Sequence, residues 1–135
     1  IVQCPINIFD NRLTKNNFLK RYSDKGIEIH ARSIFLQGLL LQDGNKIPEE
    51  FSKFEKLFKK WENWLKLNNL NSLEACIMYT NFISEVTKIV VGINSAVQLK
   101  EIIKYKNKNI KFEIPKWQNT IDKELIDPRK WKKKY

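Results

Sequence analysis

Short apolar runs alternate with amphipathic stretches along this chain, and that alternation limits its fold more than any other feature. IVQCP reads as a short buried strand, with Pro5 placed where a strand ends. Asn7, Asp10 and Asn11 then mark a loop. From Thr14 to Asp24 the spacing turns helical, with Phe18, Leu19 and Tyr22 on one face and Lys15, Lys20 and Arg21 toward solvent. Gly26 stops that helix and GIEIHARS follows as a second strand. A strand, a helix and a strand within about 30 residues form a βα unit, the building block of parallel sheets.

The next stretch, SIFLQGLLLQDGNKIPEE, is too interrupted to be assigned to either class, although Asp43-Gly44-Asn45 is a turn. Phe51, Phe54, Leu57, Phe58, Trp61, Trp64 and Leu65 then recur at three- and four-residue steps, which predicts a helix laying an aromatic stripe on a sheet, with a peptide-binding groove or base-stacking surface as the alternative. Asn71 is placed to cap the following helix, with Glu74 as the reciprocal partner three residues on. SLEACIMYTNFI is apolar on more than one face, so deep burial is expected. KIVVG reads as another buried strand, and Asn94-Ser95 start a helix whose inward face is Leu99, Ile102 and Ile103. The segment 106–118 is polar and basic apart from IKFEIP, and a short helix is expected over Asp122 to Ile126. Together these predict an α/β fold with three adjacent parallel strands near residues 1–4, 27–32 and 88–92.

Charge narrows the partners without choosing one. The 135 residues carry 25 Lys and Arg against 15 Asp and Glu, a net +10. Residues 100–135 hold 12 basic and 5 acidic side chains, so the excess gathers in the C-terminal third. Such a surface attracts nucleic acid, anionic cofactors or anionic lipid. Cys4 and Cys76 stand far apart among apolar residues, which suits buried free thiols in a reducing, cytoplasmic setting. With one His they form no zinc ligand cluster. No apolar run approaches the roughly 18 residues of a membrane span, so no membrane partner is expected. The opening lacks the features of a signal peptide and has no Met, so it reads as the interior of a longer protein.

Parallel βα folds place ligands at the C-terminal ends of their strands, which directs attention to Gln3, to Arg32-Ser33 and to Gly92-Ile93-Asn94-Ser95. The Gln3 amide can pair with another amide or simply face water. Arg32 and Ser33 suit a phosphate contact or a surface ion pair. Gly92 to Ser95 offers small residues before a helix start, where unpaired N–H groups favour an anion, but such loops also occur for purely structural reasons. His30 lies inside its strand, where a packed or hydrogen-bonded role is the simpler reading. No phosphate-loop, paired-carboxylate, catalytic-triad or metal motif is present.

The strings QCPINIFDNRL, GIEIHARSIFLQGLLL, NSLEACIMYTNF and KIVVGINSAVQLKEI resemble, in order and spacing, the C-terminal part of the aldo/keto reductase family. The resemblance covers nearly the whole chain. It implies that the chain, 1–135, is the C-terminal portion of a (β/α)8 TIM barrel, about three parallel βα units holding strands six to eight. The Phe51–Leu65 helix would belong to the long insertion after strand seven, and 127–135 would form a basic tail. The implied cofactor is NAD(P)H and the implied reaction is reduction of a small-molecule carbonyl to an alcohol. Gln3 corresponds to the residue that holds the nicotinamide carboxamide. Arg32 stands where many relatives place an aromatic residue that stacks on the nicotinamide. Ser33, Phe35, Gln37 and Gly38 match the loop over the cofactor pyrophosphate. Gly92, Ile93, Asn94 and Ser95 match the loop near the adenosine phosphate, with Gln98 and Glu101 in the following helix. Many NADP-preferring relatives carry a Lys in that loop and an Arg at the position of Gln98.

The family's catalytic Asp, Tyr, Lys and His come from the first half of its barrel, outside this sequence. The resemblance therefore implies that this chain alone, as a fragment of a larger enzyme, is inactive. Three strands of eight would also leave two open sheet edges, which are surfaces for self-association. The alternative to this reading is a non-catalytic, basic interaction or nucleic-acid-binding module that uses the Lys-rich tail with exposed Trp117 and Trp131.

Overall fold

Three short strands, β1 (Val2–Pro5), β2 (Ile29–Arg32) and β3 (Val86–Ile89), pair side by side and in parallel, in that order. The structure is a computed structural model that describes residues 1–43, 46–106, 108, 113–115, 117 and 121–131. Val2 lies opposite Ile29 and Pro5 opposite Arg32, while His30 faces Lys88 and Ala31 faces Ile89. The second ladder is irregular between Ile29 and His30. There the Thr87 hydroxyl donates to the Ile29 carbonyl at 3.0 Å, replacing a regular ladder bond.

The helices are α1 (Phe18–Ser23), α2 (Glu55–Leu67), α3 (Ser72–Phe82), α4 (Ala96–Lys106) and α5 (Lys123–Ile126). α1 joins β1 to β2, and α2 with α3 fills the long crossover from β2 to β3. The architecture is mixed α/β around a small parallel sheet. No helix among the described residues is long and apolar enough to cross a membrane.

β3 lies two residues earlier than KIVVG suggested. Val90 still donates its N–H to the Ala31 carbonyl at 2.8 Å, but β2 ends at Arg32 and the chain turns away at Ser33, where φ is +56°. Val91 and Gly92 have no partner strand left to follow. β1 and β3 are also less buried than expected, because each is an edge: Val2 and Gln3 are exposed, and β3 buries no residue fully.

The aromatic stripe of α2 is the core. Phe58, Trp61 and Trp64 are buried, with a 3-10 turn at Glu49–Phe54 leading in and burying Phe51. Phe9 meets Phe58 at 5.7 Å and Trp61 edge-on at 5.9 Å, while Trp61 and Trp64 stack at 5.5 Å. Edge-to-face and offset pairs of this kind add to the burial energy. α3 is buried from Glu74 to Thr80, which explains its lack of a polar face. The Asn71 side chain accepts the Glu74 N–H at 2.8 Å, as the cap predicts. The Glu74 carboxylate does not complete the capping box; it accepts from Lys108 Nζ at 2.7 Å and ties α3 to the chain after α4.

Other expectations need correction. On α1 only Leu19 enters the core; Phe18 and Tyr22 stay exposed and pack on each other at 4.8 Å. α4 buries nothing fully: Ile102 is half-buried, whereas Leu99 and Ile103 face outward. α4 is held to α3 by polar clasps, Asn71 Nδ2 to the Tyr105 hydroxyl at 2.9 Å and Asn81 Nδ2 to the Lys106 carbonyl at 2.8 Å. Ile102 and Tyr105 pack against the core, while Val97, Leu99 and Ile103 are exposed.

Cys4 and Cys76 are free and buried, and burial pushes both thiols upward from their ordinary pKa. Lys46 donates to the Asp43 carbonyl at 2.7 Å across the expected turn, whose Gly44 and Asn45 lie outside the described residues. Of IKFEIP, residues 110–112 also lie outside them. So does the end of the expected basic tail, 132–135. Its beginning is folded: Asp127 caps a 3-10 turn at Pro128–Lys130, and Trp131 packs edge-on against Phe51 at 4.8 Å.

Candidate functional site

A cavity of about 720 Å³ opens over the C-terminal ends of β2 and β3. One wall is the loop after β2. Its backbone adopts positive φ at Ser33, Leu36, Gln37 and Gly38, of which only Gly38 does so without steric cost. Buried neighbours hold this conformation. Ile34 and Leu36 are sunk in the core, and Leu36 N–H donates to the Ser33 carbonyl at 2.9 Å. Asn7, fully buried, accepts the N–H groups of Phe9 at 3.0 Å and Asp10 at 2.9 Å and donates Nδ2 to the Ser33 carbonyl at 3.1 Å. The loops after β1 and β2 are thereby fastened to each other. The opposite wall is Val90 to Gly92, then Asn94 and the first turns of α4.

The α4 start closes on itself. Ser95 Oγ accepts the Gln98 N–H at 3.2 Å, and Gln98 Oε1 accepts the Asn94 N–H at 2.8 Å, a reciprocal cap. The first-turn amides of Ala96 and Val97 have no acceptor within the helix, so a partner for them must come from outside it. Gly92 has ordinary φ, and a Cβ built there would meet no atom within 4 Å. Its missing side chain widens the cavity and does not relieve a clash.

Eight of the twelve residues singled out in the sequence line this cavity: Ser33, Phe35, Gln37 and Gly38 on one side, with Gly92, Asn94, Gln98 and Glu101 on the other. Four do not. Gln3 lies within β1 opposite His30, exposed and clear of the lining; Ile93 faces outward; and Ser95 caps α4. Arg32 lines a second cavity of about 370 Å³ over the ends of β1 and β2, which shares Ser33 and Gln37 with the first. Sequence reasoning missed Ser72 and Leu73, whose place in the first cavity depends on how α3 docks and leaves no local signal. It also missed Arg12, Asp127 and Arg129 in the second cavity. A signal did exist for these, because Asp10-Asn11-Arg12 and Asp127-Pro128-Arg129 repeat an Asp-x-Arg spacing that lets the guanidinium fold back on its own carboxylate.

Among the described lining residues of the first cavity Glu101 is the sole charged side chain, so anion attraction there falls to backbone N–H groups and amides. His30 is buried with Nε2 3.3 Å from Glu28 Oε1, and it lines neither cavity. Lys88 Nζ also reaches Glu28 Oε1, at 2.9 Å, and holds the Glu28 carboxyl below the usual range. Trp117 and Trp131 are half-buried: Trp117 meets Phe9 edge-on at 5.6 Å, and Trp131 donates Nε1 to the Leu125 carbonyl at 3.0 Å. Neither is the exposed base-stacking platform that the nucleic-acid alternative requires. No protein-family model matches this sequence, and no curated protein matches it.

Proposed function

We propose that this chain is the cofactor-binding C-terminal part of an NAD(P)-dependent aldo/keto reductase, with β1 to β3 as strands six to eight of a (β/α)8 barrel. The observation that carries the reading is the convergence of eight family-like positions, drawn from two loops and a helix, on one cavity at the C-terminal ends of parallel strands. The lining fits a dinucleotide chemically. Gln37 and Asn94 supply amides, the α4 start supplies backbone donors, and Phe35 with Leu41, Leu73 and Ile102 supplies apolar wall for a base or ribose. When bound, the cofactor supplies hydride to a carbonyl carbon.

The chain's own part is to grip and orient. Gly38 lets the loop after β2 fold over the ligand, and Asn7 keeps that loop in place. Gln98 aligns the loop before α4 through the Asn94 N–H. Reduction also needs a group that protonates the carbonyl oxygen as charge develops on it. Neither cavity presents a Tyr, His or Lys for that task among its described lining residues. The acid belongs to the remainder of the barrel, and this chain alone turns over no aldehyde.

Glu101, the sole charged side chain among the described lining residues, disfavours the added phosphate of NADP. Fluorescence titration of the protein with NADH and NADPH tests the reading. Saturable binding, tighter for NADH, is expected. Absence of binding to either nucleotide by protein with a folded near-ultraviolet spectrum would overturn the cofactor role.

A further inference from the structure

The second cavity holds a charge pattern that the nucleotide reading does not use. Arg12, Arg32 and Arg129 all reach it, with Asp127 as its one carboxylate among the described lining residues. Two of the three guanidiniums are satisfied within their own Asp-x-Arg motifs. Arg12 Nε and Nη2 meet the Asp10 oxygens at 2.8 and 2.7 Å, and Arg129 Nε and Nη2 meet those of Asp127 at 2.8 Å each. The Asp10 side chain is 1% exposed and sits behind Arg12, so the cavity sees the cation and not its counter-ion. Asp10 also takes the Arg12 backbone N–H at 3.3 Å, which fixes the fork in place.

Arg32 differs. It closes β2, its side chain is exposed, and it makes no ion pair among the described residues; its Nη1 donates to the neutral Ser33 hydroxyl at 3.2 Å. A guanidinium stays charged at any physiological pH and presents its donors as a planar fork matched to two oxygens. The walls beside it, Pro5, Leu36, Ile126 and Pro128, are carbon.

We propose that this cavity binds a small organic oxyanion, a carboxylate or phosphate monoester on an apolar body, with Arg32 as its recognition group. The oxyanion takes the fork of Arg32, with the Arg12 guanidinium facing the same cavity and its Asp10 partner buried outside the lining, and the body lies against the carbon walls. Because the two cavities share Ser33 and Gln37, a ligand here lies directly beside one in the first cavity. The site needs no nucleotide, so it stands or falls independently of the cofactor reading.

An NMR titration of the nucleotide-free protein with benzoate, phenyl phosphate and neutral benzamide tests it. Benzoate or phenyl phosphate is expected to shift the amides of Arg32, Ser33 and Gln37 saturably, with benzamide at least tenfold weaker. Whichever oxyanion binds more tightly identifies the source. R32Q is expected to weaken binding about tenfold or more, R32K to fall between it and the parent, and R21Q on α1 to change nothing. Equal binding of benzamide, no binding of either oxyanion, or undiminished binding by a folded R32Q overturns the proposal. Should R32Q not fold, the benzoate-to-benzamide ratio of the parent protein decides.

Discussion

Asn7 joins the ends of β1 and β2 through one buried side chain, and the strained loop after β2 depends on it. Removing it takes the side-chain acceptor from the buried Phe9 N–H and the Nδ2 donor from the Ser33 carbonyl, while the Asp10 N–H keeps the Asn7 backbone carbonyl at 2.9 Å. Asn7→Ala is therefore expected to cost about 1–3 kcal/mol in urea unfolding, more than a surface Asn. Gly92 offers the contrasting case. With ordinary φ and open space around it, Gly92→Val should leave the unfolding midpoint nearly unchanged while weakening NADH binding, because its side chain projects into the cavity. A large loss of stability in that variant would mean that the glycine serves the fold. The sequence made Gly26 readable, since it follows the first helix and turns the chain with positive φ. The part played by Asn7 was hidden, because its partner Ser33 is distant in sequence and an Asn in a loop carries no sign of what it holds.

At the level of elements, legibility followed the source of each element's burial. α2 was readable because its stripe of Phe and Trp recurs at helical spacing and the core accepts it whole. The Asn71 cap was readable for the same local reason, while the diversion of Glu74 to Lys108 was not. β3 was placed two residues late because apolar content marks where a strand can run, whereas the length of β2 decides where it stops. The inward face of α4 was misjudged since periodicity gives a face but not what covers it. The segment after α5 yields a pH prediction. Hydrogen bonds from Arg129 hold the Asp127 carboxyl at about 2, below its ordinary value near 3.8. A carboxyl depressed by folding adds stability that is complete above the unfolded pKa and is lost as pH falls through the folded one. Carbon-detected NMR should show Asp127 titrating near pH 2, with the Pro128–Lys130 turn loosening between pH 4 and 2. Asp127→Asn should abolish that pH dependence. Titration at the ordinary carboxyl value would contradict the pairing.

Across the whole molecule, the clearest structural feature beyond the sheet is the apolar surface left uncovered around it. Val97 is 67% exposed and Ile103 54%, and Leu99, Val90 and Ile93 add to the same region of β3 and α4. Ile1 and Val2 are exposed at the opposite edge of the sheet. Exposed apolar groups beside unpaired strand edges are what a three-strand portion of a closed barrel would present. The parallel order of the strands was legible from the βα alternation, and eight of the residues singled out in the sequence line the first cavity. The separation of Arg32 and Gln3 from that cavity was not, because a position's match to a motif does not specify which side of β2 its ligand occupies. The most direct measurement is an amide chemical-shift map of the protein titrated with NADH. The account predicts saturable shifts concentrated in residues 33–38 and 92–101, with α1 and α2 unmoved. No shifts from folded protein, or shifts concentrated on α1 or on the α2 surface, would contradict it.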